Sequence, residues 1–230
     1  MNKKKIGLGI IGFGTVGAGV VRILRKNIGL IEQKVGARCQ LISVCDKDIK
    51  SKRHGVTLSR SLLTTDYQRL LKNPSIDIII ELIGGYEPAR RIVLDAIRQG
   101  KHIVTANKAI LSKYWNELFS NARQYKRLIY FEAAVGGGIP VVQALNEGLA
   151  ANRIQKIIGI LNGTTNFILS QMSHENLSYS HALNAAVKAG FAEPDARFDV
   201  QGIDASHKLS ILASIAAGSW VKPGDFYCEG

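Results

Sequence analysis

Short apolar runs alternate with stretches of helical spacing through the first half of the chain. Residues 6–11, 41–44, 76–82, 102–105 and 128–131 each read as a strand. Between them, residues 16–25, 89–99 and 114–125 carry apolar side chains at helical intervals. Pro88 stands where a first helical turn tolerates proline, and Gly100 closes that helix. Strands separated by helices imply right-handed crossovers and a mostly parallel sheet. Beyond Ala133 the texture changes. Gly136, Gly137, Gly138, Ile139 and Pro140 form a joint leading to a helix over 141–149. A strand over 154–161 follows, then the turn Asn162-Gly163-Thr164-Thr165, and helical patterns over 167–172, 180–189 and 204–217. The division falls into residues 1–133 and 134–230, and the last element reads as cut short at Gly230.

The first turn carries the clearest chemistry. Gly12, Phe13, Gly14, Thr15, Val16 and Gly17 fit G-x-G-x-x-G between a strand and a helix. In that context the first glycine allows a tight turn, the second lets main chain approach a pyrophosphate, and the third brings helix and sheet together. The helix N-terminus then faces phosphate charge. The expectation is an α/β fold with a Rossmann-type, doubly wound parallel sheet that binds a dinucleotide. A smaller α+β domain, incomplete at its C-terminus, completes it.

Asp46 ends the second strand, where an acidic residue would accept from a ribose 2′-hydroxyl and favour NAD. Its spacing from the glycine loop exceeds the usual run of about 20 residues. Lys47, Lys50, Lys52 and Arg53 crowd the same loop and would suit a 2′-phosphate, so NAD and NADP both stay open. Thr105, Ala106, Asn107 and Lys108 follow another strand, at the end of a parallel sheet where ligands bind. A lysine there suits a phosphate, carbonyl or carboxylate; it also suits plain solvent.

Two polar clusters mark the second half. The run Asn162-Gly163-Thr164-Thr165-Asn166 reads either as a helix cap or as a floor for a polar substrate. Asp204 and Lys208 stand i, i+4 on a helix and share a face. Exposed, such a pair is worth only about 0.3–0.5 kcal/mol. Partly buried, it would hold a lysine ready as a proton donor near neutral pH.

Composition narrows the alternatives. The net charge is +12, from 30 basic and 18 acidic side chains. The charges are dispersed and no aromatic residues interleave with them, which argues against a nucleic-acid groove. Cys39, Cys45 and Cys228 form no CxxC pair, which suggests a reducing compartment and no structural zinc. The glycine-broken apolar stretch after Lys3, Lys4 and Lys5 reads as strand, turn and helix rather than a leader. No apolar run reaches the roughly 18 residues of a membrane span. The expected setting is cytoplasmic, without membrane or nucleic-acid partners.

Taken in order, residues 12–17, 105–108, 137–140, 162–169, Glu193-Pro194-Asp195 and the Asp204, Lys208 pair resemble homoserine dehydrogenase across essentially the whole chain. The resemblance implies NAD(P)-dependent interconversion of L-homoserine and L-aspartate 4-semialdehyde, in threonine, methionine and isoleucine biosynthesis. It implies Lys208 as the catalytic lysine, Lys108 as a substrate- and cofactor-binding lysine, Glu193 and Asp199 at the substrate amino group, and Asp204 positioning substrate and Lys208. It places a structural monovalent cation, Na+ or K+, at main-chain groups around Glu132, Val135, Gly137 and Ile139. It also implies a homodimer. The family's substrate domain continues past the position of Gly230, and many members add a regulatory ACT domain. A dinucleotide-binding module without turnover is therefore the alternative. The neighbouring activity of aspartate-semialdehyde dehydrogenase needs a thiol, and no cysteine here stands in a suitable loop.

Overall fold

The computed structural model describes residues 5–51, 55–192 and 195–230. The chain divides into two compact units, Met1–Ala134 and Val135–Gly230.

The first unit is built on one parallel sheet. Its strands are β1 (Lys5–Ile11), β2 (Arg38–Cys45), β3 (Leu63–Thr64), β4 (Ile78–Glu81), β5 (His102–Thr105) and β6 (Ile129–Tyr130). The spatial order is β3-β2-β1-β4-β5-β6, and each neighbouring pair is parallel. This order belongs to dinucleotide-binding sheets and reverses beside β1, where a crevice opens at the carboxyl ends of the strands. The connecting helices are α1 (Thr15–Val35), α2 (Tyr67–Leu71), α3 (Ala89–Arg98) and α4 (Lys108–Gln124). Strands buried on both faces need continuous apolar sequence, and β4 supplies Ile78, Ile79 and Ile80. Ile10, Phe13, Ala18, Val21, Val44, Leu58 and Ile80 form one packed cluster joining β1, α1 and β2 to β4. Both α1 and α4 begin earlier than periodicity suggests. They start directly after the glycine loop and the Thr105–Asn107 segment, whose small and polar residues hide the apolar spacing.

The second unit is helical among its described residues. Val141–Gln143 (α5) runs into a π-turn over Ala144–Gly148, followed by α6 (Gly163–His174), α7 (Tyr179–Lys188), α8 (Arg197–Val200) and α9 (Ile203–Ala217). Ile168, Ala182, Ala186, Ala192 and Ala196 form its packed centre. The predicted strand over 154–161 is a correction: the segment is irregular, with Ile158 86% and Ile160 76% exposed. A strand exists only as part of a ladder, and among the described residues this unit has no other strand to complete one. Among the described residues, no helix is long and apolar enough to cross a membrane.

Candidate active site

The glycine loop is shaped by sterics. Gly12 sits at φ +104°, and a Cβ there would stand 2.6 Å from the main chain of Leu82. A Cβ on Gly17 would overlap the Gly12 carbonyl oxygen, so only glycine lets α1 approach the turn. Gly14 is different. Nothing lies within 4 Å of its Cβ position, and as N-cap of α1 it offers no side-chain cap of its own. Open space over a helix N-terminus is the room a pyrophosphate requires, so these residues fit a dinucleotide. Gly14, Thr15 and Val16 are exposed at this rim, whereas Phe13 turns its ring into the core.

A cavity of about 490 Å³ adjoins the loop, lined by Gly12, Asp46, Lys47, Thr65, Tyr67 and Ile83 among others. Asp46 lies on it despite its long spacing from the glycine loop. Its carboxylate also braces the turn: Oδ2 accepts from the Phe13 N–H at 2.5 Å and Oδ1 from the Asp48 N–H at 2.9 Å. Lys52 and Arg53 lie outside the described residues. Cys45 also lines the cavity, but burial, with Asp46 and Asp66 adding to it, pushes its thiol up to about 11. It is therefore no nucleophile at neutral pH.

Lys108 is placed by a buried carboxylate that pattern reading passes over. Glu81 is fully buried; Oε1 accepts from the Ile83 N–H at 2.8 Å and the Gly84 N–H at 3.3 Å, and Oε2 accepts from Thr105 Oγ1 at 2.6 Å. Thr105 Oγ1 in turn accepts from the Asn107 N–H, and the Asn107 amide caps α4 while donating to the Gly85 carbonyl. The loops after β4 and β5 are thus tied together, and half-buried Lys108 starts α4 at the carboxyl end of the sheet. The available signal was an acidic residue closing the apolar run Ile78-Ile79-Ile80.

In the second unit the polar residues converge. Asn162 is buried and uses its whole amide. Its Oδ1 accepts from Thr165 N–H at 2.8 Å and Thr165 Oγ1 at 2.9 Å, while Nδ2 donates to Asp199 Oδ1 at 2.7 Å and Asp204 Oδ2 at 2.8 Å. The cap reading of the Asn-Gly-Thr-Thr run is met at one end of the amide, which caps α6, while the other end bridges two carboxylates. Lys208 Nζ donates to the same Asp204 Oδ2 and to the Leu161 carbonyl, each at 2.7 Å. The Asp204 and Lys208 side chains are only 5% and 19% exposed, so the pair is not a solvated surface bridge. An ammonium has three N–H donors, and among the described residues two are engaged, which leaves one for a substrate oxygen. A cavity of about 510 Å³ opens beside the network, lined by Thr165, Ile168, Met172, Asp199 and Ala205 among others.

Of the remaining candidates, Glu193 lies outside the described residues, while Asp195 pairs in the open with Arg197, whose hydrogen bonds hold it down at about 2. Glu132 belongs to a 3-10 turn, Glu132–Ala134, in the first unit; Val135, Gly137 and Ile139 belong to the second. Among the described residues no cluster of His, Cys, Asp and Glu is arranged to hold a metal ion.

Known proteins give the same picture in two halves. Residues 12–132 match the family model for the homoserine dehydrogenase NAD-binding domain, and residues 140–230 match the homoserine dehydrogenase model. The chain is 45% identical over 223 residues to homoserine dehydrogenase of Synechocystis sp., covering 97% of this chain and 51% of that one. For the Bacillus subtilis homoserine dehydrogenase the figures are 43% over 227 residues, covering 99% and 52%. Among solved structures, a homoserine dehydrogenase from Thiobacillus denitrificans superposes with a TM-score of 0.92 at 44% identity, covering 99% of this chain and 52% of that one. A hyperthermophilic archaeal homoserine dehydrogenase in complex with NADPH superposes at 0.81 with 27% identity, covering 94% and 71%. The chain spans about half the length of the curated relatives it matches. Both halves match in order and over nearly the full sequence, and the chain belongs to the homoserine dehydrogenase family.

Proposed function

We propose that the chain carries the homoserine dehydrogenase reaction, interconverting L-homoserine and L-aspartate 4-semialdehyde with NAD or NADP. The observation that carries this reading is Lys208, held by Asp204 and the Leu161 carbonyl with one ammonium N–H still to give. NAD(P) bound at residues 12–17 supplies or takes up the hydride. In the reducing direction the aldehyde oxygen gains negative charge. Lys208 hydrogen-bonds that oxygen and gives it a proton; in the oxidising direction it takes the proton back. Asp204 holds the lysine in position, and Asp199, with Glu193, meets the substrate ammonium. Lys108 binds substrate and cofactor from the loop after β5. The first unit then serves the dinucleotide and the second the substrate. Asp46 serves the adenosine ribose, and Lys47 suits a 2′-phosphate. Main-chain oxygens around Val135, Gly137 and Ile139, with Glu132, are the kind of donors a monovalent cation takes, and its role is structural. By family, the same reading carries a homodimer in the cytoplasm.

The test is steady-state reduction of NAD+ and of NADP+ by the purified chain with L-homoserine, alongside fluorescence titration of NADPH. Turnover that depends on homoserine is expected. Cofactor binding with no turnover would favour the second reading, a dinucleotide-binding module. One observation speaks for that reading: among the described residues, the segment over 154–161, which delivers the Leu161 carbonyl to Lys208, has no ladder to hold it.

A further inference from the structure

A second cavity of the first unit lies at the amino ends of the strands, at the opposite end of the sheet from the glycine loop. It measures about 440 Å³ and is lined by Lys5, Asp77, Lys101, His102 and Arg127, with Gly100 on its wall. Two of the charges are already committed. Lys101, buried, donates its Nζ to the carbonyls of Asn73 and Ile76 at 2.7 Å each, and Asp77 Oδ2 accepts from the Gly7 N–H at 2.7 Å. Of the remaining three, His102 and Arg127 are mismatched. His102 Nδ1 accepts from the Leu128 N–H at 3.1 Å, which puts the proton of the neutral ring on Nε2. Facing Nε2 at 3.4 Å stands Nη1 of Arg127, also a donor. The Arg127 Nε is buried with no hydrogen-bond partner, so turning the guanidinium sacrifices no bond there. Burial and Arg127 both push the His102 pKa down, against the pull of Asp77, which keeps the ring neutral and its Nε2–H in place.

Two donors aimed at each other, beside an unspent guanidinium fork, lack one thing: an acceptor with negative charge. Guanidinium matches the tetrahedral oxygens of phosphate through paired N–H bonds. Lys5, Lys101 and Arg127 outweigh Asp77, so the cavity has a positive balance. We propose that this pocket is an oxyanion site that takes a phosphate group, bridged between His102 Nε2–H and the Arg127 guanidinium, with Lys5 at its mouth. The volume exceeds that of a bare phosphate and admits a small phosphomonoester.

The experiment follows the imidazole signals of His102 by NMR in the 15N-histidine-labelled chain, at fixed pH and ionic strength. Inorganic phosphate and glycerol phosphate are titrated separately against a chloride control. Reading at His102 separates this site from phosphate bound at the glycine loop. Saturable shifts with phosphate and none with chloride are expected. Arg127→Gln should weaken the affinity about tenfold through the lost charged hydrogen bonds. Lys5→Gln, at an exposed position, should weaken it less, and decides the matter if Arg127→Gln fails to fold. Tighter binding of glycerol phosphate assigns the site to a phosphomonoester, and tighter binding of inorganic phosphate to the free ion. His102 signals that do not move, or variants that titrate like the parent chain, overturn the proposal.

Discussion

Around the glycine loop the first unit works by leaving atoms out: Gly12 and Gly17 have no room for a Cβ, and Gly14 keeps clear space above a helix end. Around Asn162 the second unit works by filling every position of the amide, which joins two carboxylates, and through Asp204 an ammonium, in one connected set. The first arrangement needs only a short run of neighbours. The second joins residues from the start of α6, from α8 and from α9. A steric site tolerates no added volume, whereas a hydrogen-bonded site tolerates no lost partner. The two should therefore fail differently.

The largest effect should come from the second unit. Lys208→Ala removes the proton donor and should lower kcat with homoserine by about a thousandfold. NADPH affinity, read by fluorescence titration, should stay within about twofold because the dinucleotide loop lies in the other unit. Turnover close to the parent value would remove Lys208 from the chemistry. Next comes a pair of glycine variants that splits stability from binding. Gly17→Ala drives a methyl into the Gly12 carbonyl and should cost about 1–3 kcal/mol in urea unfolding, with weaker NADPH binding. Gly14→Ala meets no protein atom, so stability should hold within about 0.5 kcal/mol while NADPH affinity falls, because the new methyl occupies the anion's space. Equal melting losses in both would break the distinction.

Asn162 offers a finer cut. Asn162→Ala loses the cap of α6, costing about 1 kcal/mol, and leaves Asp199 and Asp204 without their bridging donor. Asn162→Asp keeps a capping acceptor but adds a third carboxylate. Its melting temperature should exceed that of the alanine variant, while kcat/KM for homoserine stays low. If the aspartate variant recovers kcat/KM, the bridge has only a structural role. The smallest effect concerns the thiols. Cys228 is exposed, while Cys45 is buried with its thiol raised to about 11. Thiolate forms as pH rises toward that value, so at mildly alkaline pH iodoacetamide should label Cys228 first and reach Cys45 only in denaturant. Peptide mass spectrometry reads the order, and early labelling of Cys45 would reopen thiol chemistry in the cleft.

Much of the first unit was legible because its signals are local. Continuous apolar strand runs and helix patterns of period 3.6 lie within a few residues, as do the glycines that turn β1 into α1. Glu81 was not legible in role. A single acidic residue in an apolar strand shows that something compensates it, yet its partners, the N–H groups of Ile83 and Gly84 and the Thr105 hydroxyl, come from two loops. The segment over 154–161 misled for the converse reason. Ile154, Ile157, Ile158 and Ile160 make an apolar run, but apolar sequence does not provide a neighbouring strand, and without a ladder the segment stays open.

The sequence by itself determined the parallel α/β sheet, the dinucleotide loop, the cap at Asn162 and the shared helical face of Asp204 and Lys208, since each rests on spacing within one element. Only the tertiary structure decided that this pair is sheltered rather than solvated, that Asn162 spends its second end on Asp199 and Asp204, and that His102 and Arg127 meet donor to donor. Burial and partner choice depend on which distant segments pack together, and no spacing along the chain encodes the dielectric or the company a side chain finds there.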